Sequence, residues 1–223
     1  TQEYKSMNRV VLSLYLCFSL FAFEITANQK QDEAKAILIE GSGTYSREIT
    51  TRVPAAQKFF DQGLRFAWGF YFPESIASYQ EASRLDPDHP MPYWGMAHAM
   101  GPNPNSRYAR MPDDPLGEGL KAIEEALKRI DKASNLEKRI IKALHVFYDK
   151  ESIADPAQRD LTYLKEMRQL NKEYPNDPDI AALYAGSYMS IRRWDYWDSD
   201  GNPKGETIEV AEALERIIYS GQS

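Results

Sequence analysis

The sequence predicts an all-α protein, with helical hairpins stacked into an irregular right-handed superhelix. Three observations carry this. Apolar residues recur at three- and four-residue steps through most of residues 54–220, the period of a helix with one buried face. No segment sustains the period-two alternation of a half-buried strand. The pattern Asp-Pro-Asp, four residues, then Tyr-x-Gly occurs twice, at Asp86–Gly95 and at Asp177–Gly186. Identical spacing marks both as turns leading into the first helix of a new unit, the organisation of an α-solenoid.

The N-terminal region precedes the fold. Met7-Asn8-Arg9 forms a short positive start, and the apolar run Val10 to Phe23 follows. That run is shorter than the roughly 20 residues needed to span a bilayer, and Ile25 and Ala27 offer a small-residue cleavage context. Residues 1–27 therefore read as a signal peptide, with 1–6 expected to be upstream read-through or non-native residues; an uncleaved anchor and a buried helix are the alternatives. A lipoprotein signal is disfavoured because bulky Leu16 precedes Cys17. Cys17 is the single cysteine, so removal of the signal leaves no disulfide and no cysteine-based metal site. The expected location is exported, periplasmic or extracellular. Residues 28–53 are polar and mixed and read as a linker.

The first helix follows from Ala56, Phe59, Phe60, Gly63, Leu64, Ala67 and Phe70, which share one face. Pro73 stops it and opens the second, with Glu74 in the favoured first turn. Ser75, Tyr79 and Ala82 lie on one face of that helix, and Asp86-Pro87 closes the hairpin. This stretch resembles a tetratricopeptide repeat, a helix–turn–helix unit of about 34 residues. Gly63, Tyr79, Ala82 and Pro87 match its pattern, while Ser75 stands where alanine is usual. Small Gly63 and Ala82 allow close crossing, and Phe59, Phe66 and Tyr79 are expected to fill the groove.

Leu116, Leu120, Ile123, Leu127 and Ile130 make the next stripe, and Leu136, Ile140, Ala143, Leu144 and Phe147 another. Ser134 and Glu137 form a capping box ahead of the latter. Asp155-Pro156 opens a further helix with Tyr163, Met167, Leu170 and Tyr174 inward; Val210, Leu214 and Ile217 mark a last one. The total is about eight helices. The two turn motifs lie about 91 residues apart, which is not a multiple of about 34, so the intervening units are irregular. Two loops interrupt the array: the proline-rich stretch from Gly101 to Pro115, and Trp194 to Gly201.

The run from Phe59 through Asn105, with YWGMAHAMGPNPN, is similar to a group of exported bacterial-type tetratricopeptide proteins; the later WDYWDSDG is similar to a second motif of the same group. The resemblance spans Pro54 to Ile218. Members are generally longer, which implies an N-terminal fragment of a longer protein, truncated after the helical domain 54–220. The resemblance implies a fold and supplies no catalytic residues.

A formal charge of -6 excludes a broad nucleic-acid footprint, and 43% hydrophobic residues suffice for a core. His89, His98 and His145 show neither HxxxH nor HExxH spacing. The calcium-loop flavour of Asp198-Ser199-Asp200-Gly201 fails at Tyr196 and Thr207, where ligands belong. No metal, cofactor or catalytic residue is expected, and no nucleophile elbow or nucleotide loop occurs. The expected function is an exported, non-catalytic scaffold whose concave surface binds a protein or peptide, with no membrane span in the mature protein. The alternative is a carbohydrate-binding or glycan-processing helical protein using Trp194, Asp195, Trp197 and Asp198, since aromatic platforms beside carboxylates suit sugars. Tyr93, Trp94, Asn103 and Asn105 complete the candidate ligand residues. A metal-dependent enzyme would need two histidines and a carboxylate to converge.

Overall fold

Proline at the first or second helical position is tolerated because its missing N–H has no partner there in any case. Among the described residues, six of the eight helices start this way. The computed structural model describes residues 34–102 and 111–220, which contain α1 (Pro54–Trp68), α2 (Phe72–Leu85), α3 (Met91–Met100), α4 (Pro115–Lys128), α5 (Asn135–Tyr148), α6 (Pro156–Glu173), α7 (Pro178–Arg192) and α8 (Thr207–Ser220), plus a 3-10 turn at Ile130–Lys132. The fold is all-α, with no strand among the described residues. The helices belong to the unit Ala36–Ser223, and almost all of the other unit, Thr1–Lys35, falls outside the described residues. The apolar run Val10 to Phe23 and Cys17 lie there. No helix among the described residues is long and apolar enough to cross a membrane.

Each helix packs against its neighbours in sequence, and α3 also reaches α1 and α5. The tight spots are built from glycine against tyrosine. Tyr79 is fully buried, and a Cβ placed on Gly63 would lie 2.7 Å from its ring. Gly95 of α3 faces the same ring, so Tyr79 is held between two glycines of two helices. Phe60 meets Tyr79 at 5.4 Å between ring centroids. Phe60 and Leu64 take the fully buried positions, while Phe59 and Phe66, expected to fill the groove, are only half-buried. The Ser75 hydroxyl donates to the Gly63 carbonyl at 2.7 Å, a bond that an alanine at this position would not make. Tyr148 repeats the device, donating to the Ala97 carbonyl at 2.6 Å with its ring end against Gly101 and Gly119.

The buried stripe of α4 is Gly119, Ala122, Ile123 and Ala126, rotated from the predicted leucine stripe. Small residues permit close approach on that side, and Leu120 and Leu127 flank it half-buried. The Ser134–Glu137 capping box forms, and Asp155 caps α6 as predicted. The two Asp-Pro-Asp motifs differ in register. Asp177 caps α7 with Pro178 at its start, whereas Asp86 closes α2, and α3 begins at Met91.

Candidate functional site

The turn between α2 and α3 carries Asp86 and His89, the start of α5 carries Ser134 and Glu137, and the start of α7 carries Asp177 and Asp179. Residues 36–53, which read as a linker, run past all three of these places and along α1.

Two glutamines of α1 hold this segment by its backbone in the same way. Gln57 donates to the Arg47 carbonyl at 2.8 Å and accepts from the Ile49 N–H at 3.0 Å. Gln62 donates to the Ile37 carbonyl at 2.9 Å and accepts from the Ile39 N–H at 2.7 Å. Each amide spans residue i and residue i+2, the spacing of one face of an extended strand. Between the two clamps the backbone turns at Gly41 and Gly43, with φ of +78° and +97°, a region that glycine enters without penalty. Arg65 fastens the turn by donating to the Tyr45 carbonyl at 2.7 Å.

Carboxylates take the rest. Asp61 accepts from the Ser46 hydroxyl at 2.7 Å and the Arg47 N–H at 3.1 Å. Burial pushes its pKa up, against the hydrogen bonds from Ser46, Arg47 and Gln57. The Arg47 guanidinium reaches Asp177 at 2.9 Å and Asp179 at 2.8 Å. Burial works against that charge, but Asp177 and Asp179 outweigh it and raise the pKa above its ordinary value. Asp177 does this while capping α7 through the Asp179 and Ile180 N–H groups, where a negative charge also favours the helix dipole. Tyr45 donates to Asp179 at 2.7 Å; burial, then that carboxylate, push the phenol pKa up. Thr51 donates to Asp86 at 2.5 Å.

Thr50 sits in a relay. The Met91 N–H donates to His89 Nδ1 at 3.3 Å, which leaves the ring proton on Nε2. Nε2 lies 3.0 Å from the Thr50 hydroxyl, which in turn donates to Glu137 at 2.6 Å. Burial pushes the His89 pKa below its ordinary 6.5, against the pull of Glu137 and Asp86. A protonated ring would also lose Nδ1 as an acceptor. The unfolded protein takes up this proton near pH 6.5 and the folded protein only at lower pH, so stability falls as pH drops from about 6.5 toward the folded pKa. Thermal melts should show the melting temperature declining over that window, and His89→Gln should flatten this part of the profile.

No family model, curated protein or solved structure matches the sequence.

Of the residues predicted as ligand-binding, Tyr93 and Trp94 lie on α3 and Trp194 to Asp198 lie in the loop after α7. Trp94 is 2% exposed and stacks on His98 at 5.2 Å with rings 7° from parallel. Tyr93 donates to the Pro87 carbonyl at 3.1 Å and lies under the Arg129 guanidinium at 4.4 Å. Asn103 and Asn105 lie outside the described residues. Trp194 and Trp197 are 75% and 51% exposed. Trp194 is thrown outward because Arg193 and Trp194 both take positive φ where α7 ends. Asp195 pairs with Lys204. Asp198 accepts from the Asp200 and Asn202 N–H groups and from the Asn202 side chain; the Asn202 bonds hold its pKa below the usual carboxylate range. Asp198 thereby staples its own turn.

Among the described residues, no group of three or more His, Cys, Asp or Glu side chains is placed to hold a metal ion. A concavity of about 220 Å³ is lined by Trp68, Phe72, His98, Tyr163, Leu183 and Gly186, and is largely apolar.

Sequence reasoning missed Gln57, Gln62, Asp61, Glu137 and Arg47 as one site. A signal existed. Gln62 is 1% exposed in the middle of the first apolar stripe, and a buried amide there needs partners from elsewhere in the protein.

Proposed function

We propose that the protein is an exported, non-catalytic scaffold of the tetratricopeptide type, which holds an extended segment of a protein or peptide partner. One observation carries this reading: two glutamines on one helix grip backbone carbonyl and N–H groups at i and i+2 of an extended segment. Backbone contacts of this kind give affinity without demanding one sequence, and flanking contacts from side chains add selectivity. The repeat type is supported by Gly63, Tyr79, Ala82 and Pro87 and by the neighbour-to-neighbour packing of the helices. Export is supported by the apolar run Val10 to Phe23 behind Arg9.

The carbohydrate reading keeps one observation in its favour, the exposed rings of Trp194 and Trp197. The nearby carboxylates are already engaged within the loop. The two readings separate in one experiment. Partners are cross-linked to the full-length protein in its native extracellular fraction, with a glycan array probed in parallel. The expected result is a protein partner captured by the wild type and lost in Gln57→Ala/Gln62→Ala with helical circular dichroism unchanged. Glycan retention that disappears in Trp194→Ala, with no protein captured, would overturn the scaffold reading.

A further inference from the structure

The protein already fills its own peptide-holding edge, and we infer that residues 43–53 act as a built-in competitor for an extended, arginine-bearing peptide bound in trans. This rests on the peptide-scaffold reading above and adds to it a ligand chemistry and a means of control.

The charge pattern defines the ligand. Asp61, Asp86, Glu137, Asp177 and Asp179 all bond to the segment. Asp61, Glu137 and Asp179 are 7%, 4% and 3% exposed with the segment in place. Uncovered, the same edge is an acidic groove with the Gln57 backbone clamp among its carboxylates. Arg47 meets two of its carboxylates, the Gln57 clamp spans Arg47 to Ile49, and Thr50 meets Glu137. A partner therefore needs an arginine, an apolar residue two positions on and a hydroxyl residue three positions on, in extended conformation. One terminal nitrogen of the guanidinium, Nη1, meets both carboxylates, so the site selects a long cationic side chain at this position.

The segment is also built to leave. Ile49 is its one buried apolar residue, and Ile37, Leu38 and Ile39 just before it in sequence are 75%, 47% and 46% exposed. Regions with few buried apolar contacts open before the core unfolds. Gly41 and Gly43 supply a hinge between the clamps. A tethered occupant competes at an effective concentration on the order of millimolar, and the apparent affinity for a trans ligand falls with the fraction of open molecules.

The test uses a fluorescent peptide of residues 43–53 and the full-length protein, read by anisotropy. The wild type should bind it weakly and Arg47→Ala at least tenfold more tightly, because the variant opens its own edge and leaves Asp177 and Asp179 for the peptide arginine. The peptide with glutamate in place of that arginine should bind neither. In the wild type, excess unlabelled peptide should speed amide exchange at Arg47, Ile49 and Thr50, a readout that needs no variant to fold. Equal affinity of the two proteins, equal binding of the two peptides, or unchanged exchange under saturating peptide would each overturn the proposal. A cross-linked partner that binds without altering exchange at these amides would sink the competitor and leave the scaffold standing. Absence of any partner would sink the scaffold itself.

Discussion

Replacing Gly95 by alanine should lower stability by about 2 kcal/mol, near the middle of the range for overpacked cores, or roughly 4–8 °C in melting temperature for a protein of this size. The direction is opposite to the helix-propensity expectation, in which alanine gains about 1 kcal/mol over glycine. The cause is Tyr79. A Cβ on Gly95 would sit 2.5 Å from the ring Cζ and 2.6 Å from Cδ1, inside any tolerable separation. The ring cannot retreat, because Gly63 on α1 bounds it with carbon contacts of 2.7 and 2.8 Å from a Cβ there, and the residue has no exposed surface. Tyr79→Phe should not rescue the variant, since the clash is with ring carbons and not the hydroxyl. Gly186 is the matched control. It occupies the same place in the second Asp-Pro-Asp motif, yet a Cβ there meets nothing within 4 Å. Gly186→Ala should therefore be neutral or stabilising by up to about 1 kcal/mol. Chemical denaturation of the two variants decides it, and equal effects at both positions would show that the tyrosine wedge does not set the spacing of α1 and α3.

That contrast also shows what the sequence made legible. The spacing of Gly63, Tyr79 and Ala82 specified a close helix pair because local periodicity and side-chain size determine it. The helix starts were legible for the same reason: proline fixes φ and a preceding aspartate supplies an acceptor, both properties of adjacent residues. The motif copies could not reveal their different surroundings. Whether a glycine faces a ring depends on which helix packs against it, and that is a long-range fact. The edge bound by residues 36–53 was hidden on the same ground. Its bonds join Arg47 to Asp177 and Asp179 and Thr50 to Glu137, across many intervening residues. A polar stretch without periodicity reads as linker when its partners are that distant. The Trp194–Asp198 loop is ambiguous for a local reason: a composition that suits sugars also suits the closing of a turn, and the Asp198 carboxylate is used for the turn.

Glu137→Ala should be the most damaging single change at the bound edge, costing about 3 kcal/mol. One carboxylate there accepts the Thr50 N–H at 2.9 Å, the Thr50 hydroxyl at 2.6 Å and the Ser134 N–H at 2.6 Å. Its backbone N–H also takes the Ser134 cap at 3.3 Å. Truncation removes the reciprocal half of the capping box while the Ser134 cap onto the backbone N–H survives, and it leaves donors without acceptors at about 1–3 kcal/mol for each one that stays buried. Thr50 is exposed enough for water to replace part of that loss, which keeps the total near the lower end. Glu137→Gln retains the shape and one acceptor oxygen, so about half the loss is expected. Acid should separate the two contributions. Burial alone would raise the Glu137 pKa, but the bonds from Thr50 and Ser134 hold it below its ordinary 4.5. Its stabilisation is therefore complete above about pH 4.5 and is lost as pH falls through the folded value. Glu137→Gln should lack that acid limb while keeping the decline near pH 6.5 that belongs to His89. A variant that retains the full acid limb would mean that other carboxylates, and not Glu137, fasten the segment to α5.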